Sequence, residues 1–66
     1  MQITFNGQII HIENDINITQ CLINQKLEVD KVVVERNKSI VLASDFQNTI
    51  LKEGDVLEVL HFVGGG

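Results

Sequence analysis

The chain has 66 residues, 44% hydrophobic and 21% charged, with a formal net charge of −4. That makes one small domain at most: it is too aliphatic for disorder, and no apolar run approaches the roughly 20 residues that span a bilayer. The acidic balance argues against nucleic-acid binding through phosphate contacts and is compatible with docking onto a basic protein surface, while the single cysteine allows neither an internal disulfide nor a cysteine-rich zinc site.

In chain order, "MQITFNGQIIHI" alternates Met1, Ile3 and Phe5 with Gln2, Thr4 and Asn6, the period of a half-buried strand. Met1 leads directly into this pattern, so no signal peptide is expected. Asn6-Gly7 is a favoured pair for a two-residue hairpin, because both positions tolerate positive φ. The expected register sets Phe5 against Gln8, Ile3 against Ile10 and Met1 against Ile12. After the polar break "ENDIN", Asn17 is a candidate N-cap with Gln20 in the capping-box position, opening a helix over about 18–25.

"KVVVERN" reads as a strand followed by a turn, and "SIVLA" as a second short strand. Ser44 or Asp45 is expected to cap a single helical turn containing Phe46, and "KEGD" is a further turn before the last strand, "VLEVLHFV". A hairpin followed by a crossover helix suits strands that pair in parallel. If the last strand pairs with the first, it becomes central to one mixed sheet of four to five strands, with the helix across one face. The fold class is α+β, a β-grasp.

Few residues offer chemistry. Gly7 and Gly54 stand in no phosphate-cradling motif, and His11 and His61 lack metal-ligand spacing. Cys21, among Ile18, Leu22 and Ile23, reads as a small buried hydrophobe, and its unpaired state suits a reducing cytoplasm. His11 reads as a solvated strand residue. Glu13, Asp15, Glu28, Asp30, Glu53 and Asp55 fall mostly in turns, where their expected role is solvation. No nucleophile–base or metal constellation emerges, so the chain is not expected to be an enzyme.

The last strand is more telling. Leu57, Val59 and His61 share one face; Val56, Glu58, Leu60 and Phe62 share the other. Glu58 should face water, which places Leu57 and Val59 in the core and Leu60 and Phe62 outside. Two alternatives stand beside a docking patch here: a segment covering that second face, or a bend near His61 that turns Phe62 inward. The strand then runs into Gly64, Gly65 and Gly66. Residues without Cβ suit a channel too narrow for side chains, and a glycine carboxylate is open to attack on an activated phosphate. A frayed end and a truncated linker are the plain alternatives.

Several stretches together resemble the ThiS family, the sulfur carrier proteins of thiamine biosynthesis: "MQITFNGQ", the N-x-x-Q helix start, "ERNKSIV", "LKEGDVLEVLHFV" and the diglycine Gly65-Gly66. The resemblance spans the whole chain and implies a ubiquitin-like β-grasp over 1–63 with a flexible glycine tail, 64–66. It implies that a ThiF-like adenylyltransferase joins the Gly66 carboxylate to AMP. Sulfur from a cysteine desulfurase relay then gives a thiocarboxylate, the 1-thioglycine form of Gly66, which a ThiG-like thiazole synthase uses.

On this resemblance Gly64, Gly65 and Gly66 enter the partner's active site, with Gly64 supplying flexibility rather than chemistry, and Leu60, Phe62 and Val63 are candidates for partner docking. ATP and magnesium belong to the partner, and the chain itself binds no cofactor, nucleic acid or membrane. The rival readings are a molybdopterin-synthase small subunit, whose chains usually run longer, and a ubiquitin-like interaction module with an idle tail.

Overall fold

The computed structural model describes residues 1–62. Strand β1 (Gln2–Phe5) turns through Asn6 and Gly7 into β2 (Gln8–His11). Both turn residues hold the left-handed conformation, φ 49° and 83°, which accounts for the Asn-Gly pair. The register is the expected one, with Phe5 opposite Gln8 and Ile3 opposite Ile10. Beyond the strand ends, Met1 and Ile12 exchange two hydrogen bonds, with Ile12 N–H donating to the Met1 carbonyl at 2.8 Å and the Met1 amine to the Ile12 carbonyl at 2.7 Å.

Helix α1 (Ile18–Asn24) opens with a full capping box. Gln20 N–H donates to Asn17 Oδ1 at 2.8 Å, and Asn17 N–H donates to Gln20 Oε1 at 2.9 Å. Such a cap contributes about 1 kcal/mol. A helix this short is not stable on propensity alone; Ile18, Cys21 and Leu22 are buried and anchor it by packing. A 3-10 turn at Val29–Lys31, not expected from the sequence, leads into β3 (Val32–Arg36), and Asn37 and Lys38 at positive φ turn the chain into β4 (Ser39–Val41).

The segment around Phe46 departs from expectation. It is a 3-10 helix over Ala43–Asn48 with Leu42 at the N-cap and no side-chain cap. Neither Ser44 nor Asp45 caps it, because the segment starts before them. Asp45 N–H already donates to the Leu42 carbonyl at 2.8 Å, while the Asp45 carbonyl accepts from Thr49 Oγ1 at 2.7 Å. Phe46 is buried, as expected.

β5 (Val56–His61) closes a five-stranded sheet ordered β2-β1-β5-β3-β4. It runs parallel to β1 and antiparallel to β3, and therefore lies at the centre. This is the β-grasp arrangement. One core holds Ile3 from β1, Leu57 and Val59 from β5 and Val32 and Val34 from β3, packed against Ile18, Cys21 and Leu22 of α1 and against Phe46 and Leu51. Each fully buried aliphatic or aromatic side chain contributes about 1.5–3 kcal/mol. Helix and 3-10 segment cover one sheet face; the other carries the side chains of opposite parity.

Candidate functional site

The site is the far end of β5, from which the glycine tail continues. Its start is fixed by the turn before it. Gly54, at φ 83°, donates its N–H to the Gln2 carbonyl at 2.8 Å, and a residue with a Cβ would be strained in that conformation. Asp55 is buried, 6% exposed, and is not the solvated turn residue expected. Asp55 Oδ2 accepts from Arg36 Nε at 2.9 Å and from Lys52 N–H at 2.8 Å, and Oδ1 accepts from Asn37 Nδ2 at 3.1 Å. Burial pushes this carboxyl up, but the Lys52, Asn37 and Arg36 bonds with the Arg36 charge outweigh burial and hold it below its ordinary range.

Asn37 is a second tie, donating its N–H to the Val56 carbonyl at 2.8 Å and accepting from Val56 N–H at its Oδ1 at 2.9 Å. On the opposite flank, Thr4 N–H and Asn6 N–H donate to the carbonyls of Asp55 and Leu57, each at 2.9 Å. β1 ends there, and the Asn6 side chain continues its work. Val59 N–H donates to Asn6 Oδ1 at 2.7 Å, and Asn6 Nδ2 donates to the Val59 carbonyl at 3.1 Å. The carboxamide thus stands in for one more residue of a parallel strand. Beyond Val59 the registered partners of β5 lie on β3: Val33 opposite Leu60 and Val32 opposite His61. Phe62 N–H then donates to the Lys31 carbonyl at 2.9 Å.

Side-chain alternation along β5 follows the sequence reading. Leu57 and Val59 are buried, whereas Leu60 is 73% and Phe62 46% exposed. No bend turns Phe62 inward, and none of α1 or the 3-10 segments covers this face. His61 shares the parity of Leu57 and Val59 but is exposed, because β5 has by then passed the end of the core; its Nε2 lies 3.8 Å from Glu28 Oε1. The exposed face continues across the sheet through Val33, Ile40 and Leu42. These three residues went unrecognised as part of the face in the sequence, although their alternation with Val32, Val34 and Val41 carried the signal. Val63, Gly64, Gly65 and Gly66, the remaining expected site residues, lie outside the described residues.

Cys21 is buried and burial pushes its thiol up, in keeping with a small hydrophobe of the core. Among the described residues no three His, Cys, Asp or Glu side chains gather to hold a metal. No helix among them is long and apolar enough to cross a membrane. A shallow hollow of about 90 Å³ between Thr4, Ile9 and Gly54 is far smaller than the roughly 300–1,000 Å³ of ligand sites. The feature that stands out is the exposed apolar surface at the far end of β5.

Known proteins agree with this picture. Residues 3–66 match the model of the ThiS family. The sulfur carrier protein ThiS of Bacillus subtilis is 39% identical over 62 residues, 92% of this chain and 94% of that protein. A thiazole synthase of Magnetococcus marinus is 36% identical over all 66 residues, and this chain spans only 20% of its length. The crystal structure of the thiamine biosynthesis protein ThiS from Geobacter metallireducens superposes with a TM-score of 0.85 at 33% identity, each chain covered in full. The chain belongs to the ThiS family.

Proposed function

We propose that the chain is a sulfur carrier of thiamine biosynthesis whose reactive group is the Gly66 carboxylate. A ThiF-like adenylyltransferase, with its own ATP and magnesium, supplies the activation. A carboxylate oxygen attacks the α-phosphorus and pyrophosphate leaves, giving a mixed anhydride. A persulfide from a cysteine desulfurase relay then attacks the glycyl carbonyl and AMP departs with the bonding electron pair. A thiol reductant cleaves the resulting acyl disulfide to the thiocarboxylate. Thiazole synthase takes sulfur from that group, returning the carrier for another round. The chain is thereby a recycled substrate rather than a catalyst, and a reducing cytoplasm suits both its free thiol and the thiocarboxylate.

The observation that carries this reading is that the sequence runs from a central strand, with Leu60 and Phe62 exposed at its far end, into the glycines Gly64-Gly65-Gly66. The family match and the thiamine-biosynthesis relative favour thiamine over the molybdopterin route. The thiazole synthases of which this chain spans one fifth support a synthase as the acceptor. The test is the intact mass of the chain after incubation with adenylyltransferase, ATP and a sulfur source. The expected result is a gain equal to the replacement of oxygen by sulfur, lost on removal of Gly65 and Gly66. An unchanged mass beside demonstrably active enzyme favours the interaction module with an idle tail.

A further inference from the structure

The exposed face beside the tail carries a charge feature that the fold itself does not use. Glu58 on β5 lies directly opposite Glu35 on β3, and Glu35 lies directly opposite Ile40 on β4. One register step closer to the tail, Leu60 lies opposite Val33. The two glutamates therefore stand at directly opposed positions on one sheet face, bordered by exposed Ile40, Leu60 and Val33, with exposed Phe62 further along the strand. Like charges directly opposed on one sheet face are destabilising. Among the described residues the ion pairs are Lys31 with Glu28, Arg36 with Asp55 and His61 with Glu28, so neither Glu35 nor Glu58 has a countercharge. Neither carboxylate accepts a hydrogen bond from another side chain or from the backbone there.

We infer that Glu35 and Glu58 form the acidic centre of a docking face for thiazole synthase, which places a basic side chain, best an arginine, between them from an apolar surface. The inference rests on the carrier reading above. A planar guanidinium can bridge two carboxylates at once, giving both the countercharge they lack among the described residues. The apolar side chains around the pair exclude water as the surfaces meet, which strengthens the attraction. The net charge of −4 favours the approach of a basic surface to the chain. An acidic pair in an apolar surround fits neither nucleic acid nor an anionic lipid surface.

The experiment titrates the full 66-residue chain, prepared chemically as its thiocarboxylate, against purified thiazole synthase at low and high salt. The double variant Glu35→Gln/Glu58→Gln is expected to bind about tenfold more weakly and to lose most of the salt dependence. Its thermal midpoint should equal or exceed that of the native chain, because neither carboxylate has an ion pair among the described residues to lose. The doubly charged variant Glu35→Asp/Glu58→Asp should retain tight, salt-dependent binding. An unchanged Kd and salt slope in the glutamine variant, with the native chain binding and supporting thiazole formation, overturns the docking face and leaves the carrier reading standing. A native thiocarboxylate that supports no thiazole formation overturns the carrier reading and the docking face with it.

Discussion

β5 is held from both sides at its start and from one side at its end. Around Val56 and Leu57 the strand is fixed by β1, β3, Asn37 and the buried Asp55 carboxylate. At Leu60 and His61 its registered partner is β3 alone, and the side chains stand exposed. The same six-residue strand therefore contains a structural half and a presenting half. The difference teaches where the stability of a small domain can be concentrated: upstream of its exposed apolar surface, so that a contact made at that surface need not disturb the core.

Substitutions at the two ends test that division. The largest effect is expected at Leu57, which is fully buried. Leu57→Ala should cost about 3–5 kcal/mol in urea unfolding, a large share of the 5–15 kcal/mol total usual for a domain. A loss below about 1 kcal/mol would remove the distinction between the halves. Asp55→Asn comes next, at about 2–3 kcal/mol near neutral pH, since it weakens charged hydrogen bonds to Arg36 and Lys52 N–H.

The sign of the pH dependence follows from the lowered native pKa of Asp55. Its contribution is complete above the unfolded-state value of about 3.9 and fades as pH falls from there through the lower native value. The native-minus-variant difference in stability should shrink over that acid range; a constant difference would show that the Asp55 charge contributes nothing. The smallest expected effect is at Phe62. Phe62→Ala should change stability by less than about 1 kcal/mol while weakening synthase binding about fivefold. A core-sized loss of stability would make Phe62 structural.

The elements legible in the sequence are those written in neighbouring residues. Asn6-Gly7 announced its hairpin, Asn17 and Gln20 their capping box, and the alternation from Val56 onward sorted Leu57 and Val59 from Leu60. What escaped depends on residues far apart in the chain. Asp55 stands in a polar turn, and nothing near it in sequence marks it as buried; its partners Arg36 and Asn37 reach it only once β3 is registered against β5. The second role of Asn6, pairing with Val59 through its carboxamide, is hidden for the same reason. Ser44 and Asp45 misled because capping residue types precede Phe46, whereas the 3-10 segment had already begun at Ala43. The opposition of Glu35 and Glu58 likewise needed the register of two strands more than twenty positions apart.

The central place of β5 has a consequence for biosynthesis. Without it, the β1–β2 and β3–β4 pairs would be two separate hairpins, and isolated two-stranded hairpins are marginal in water. A nascent chain therefore gains little lasting order until residues 56–61 have left the ribosome and zipped the halves together. Products of premature termination that lack β5 would stay open to proteolysis, because neither hairpin has the strand that joins it to the other.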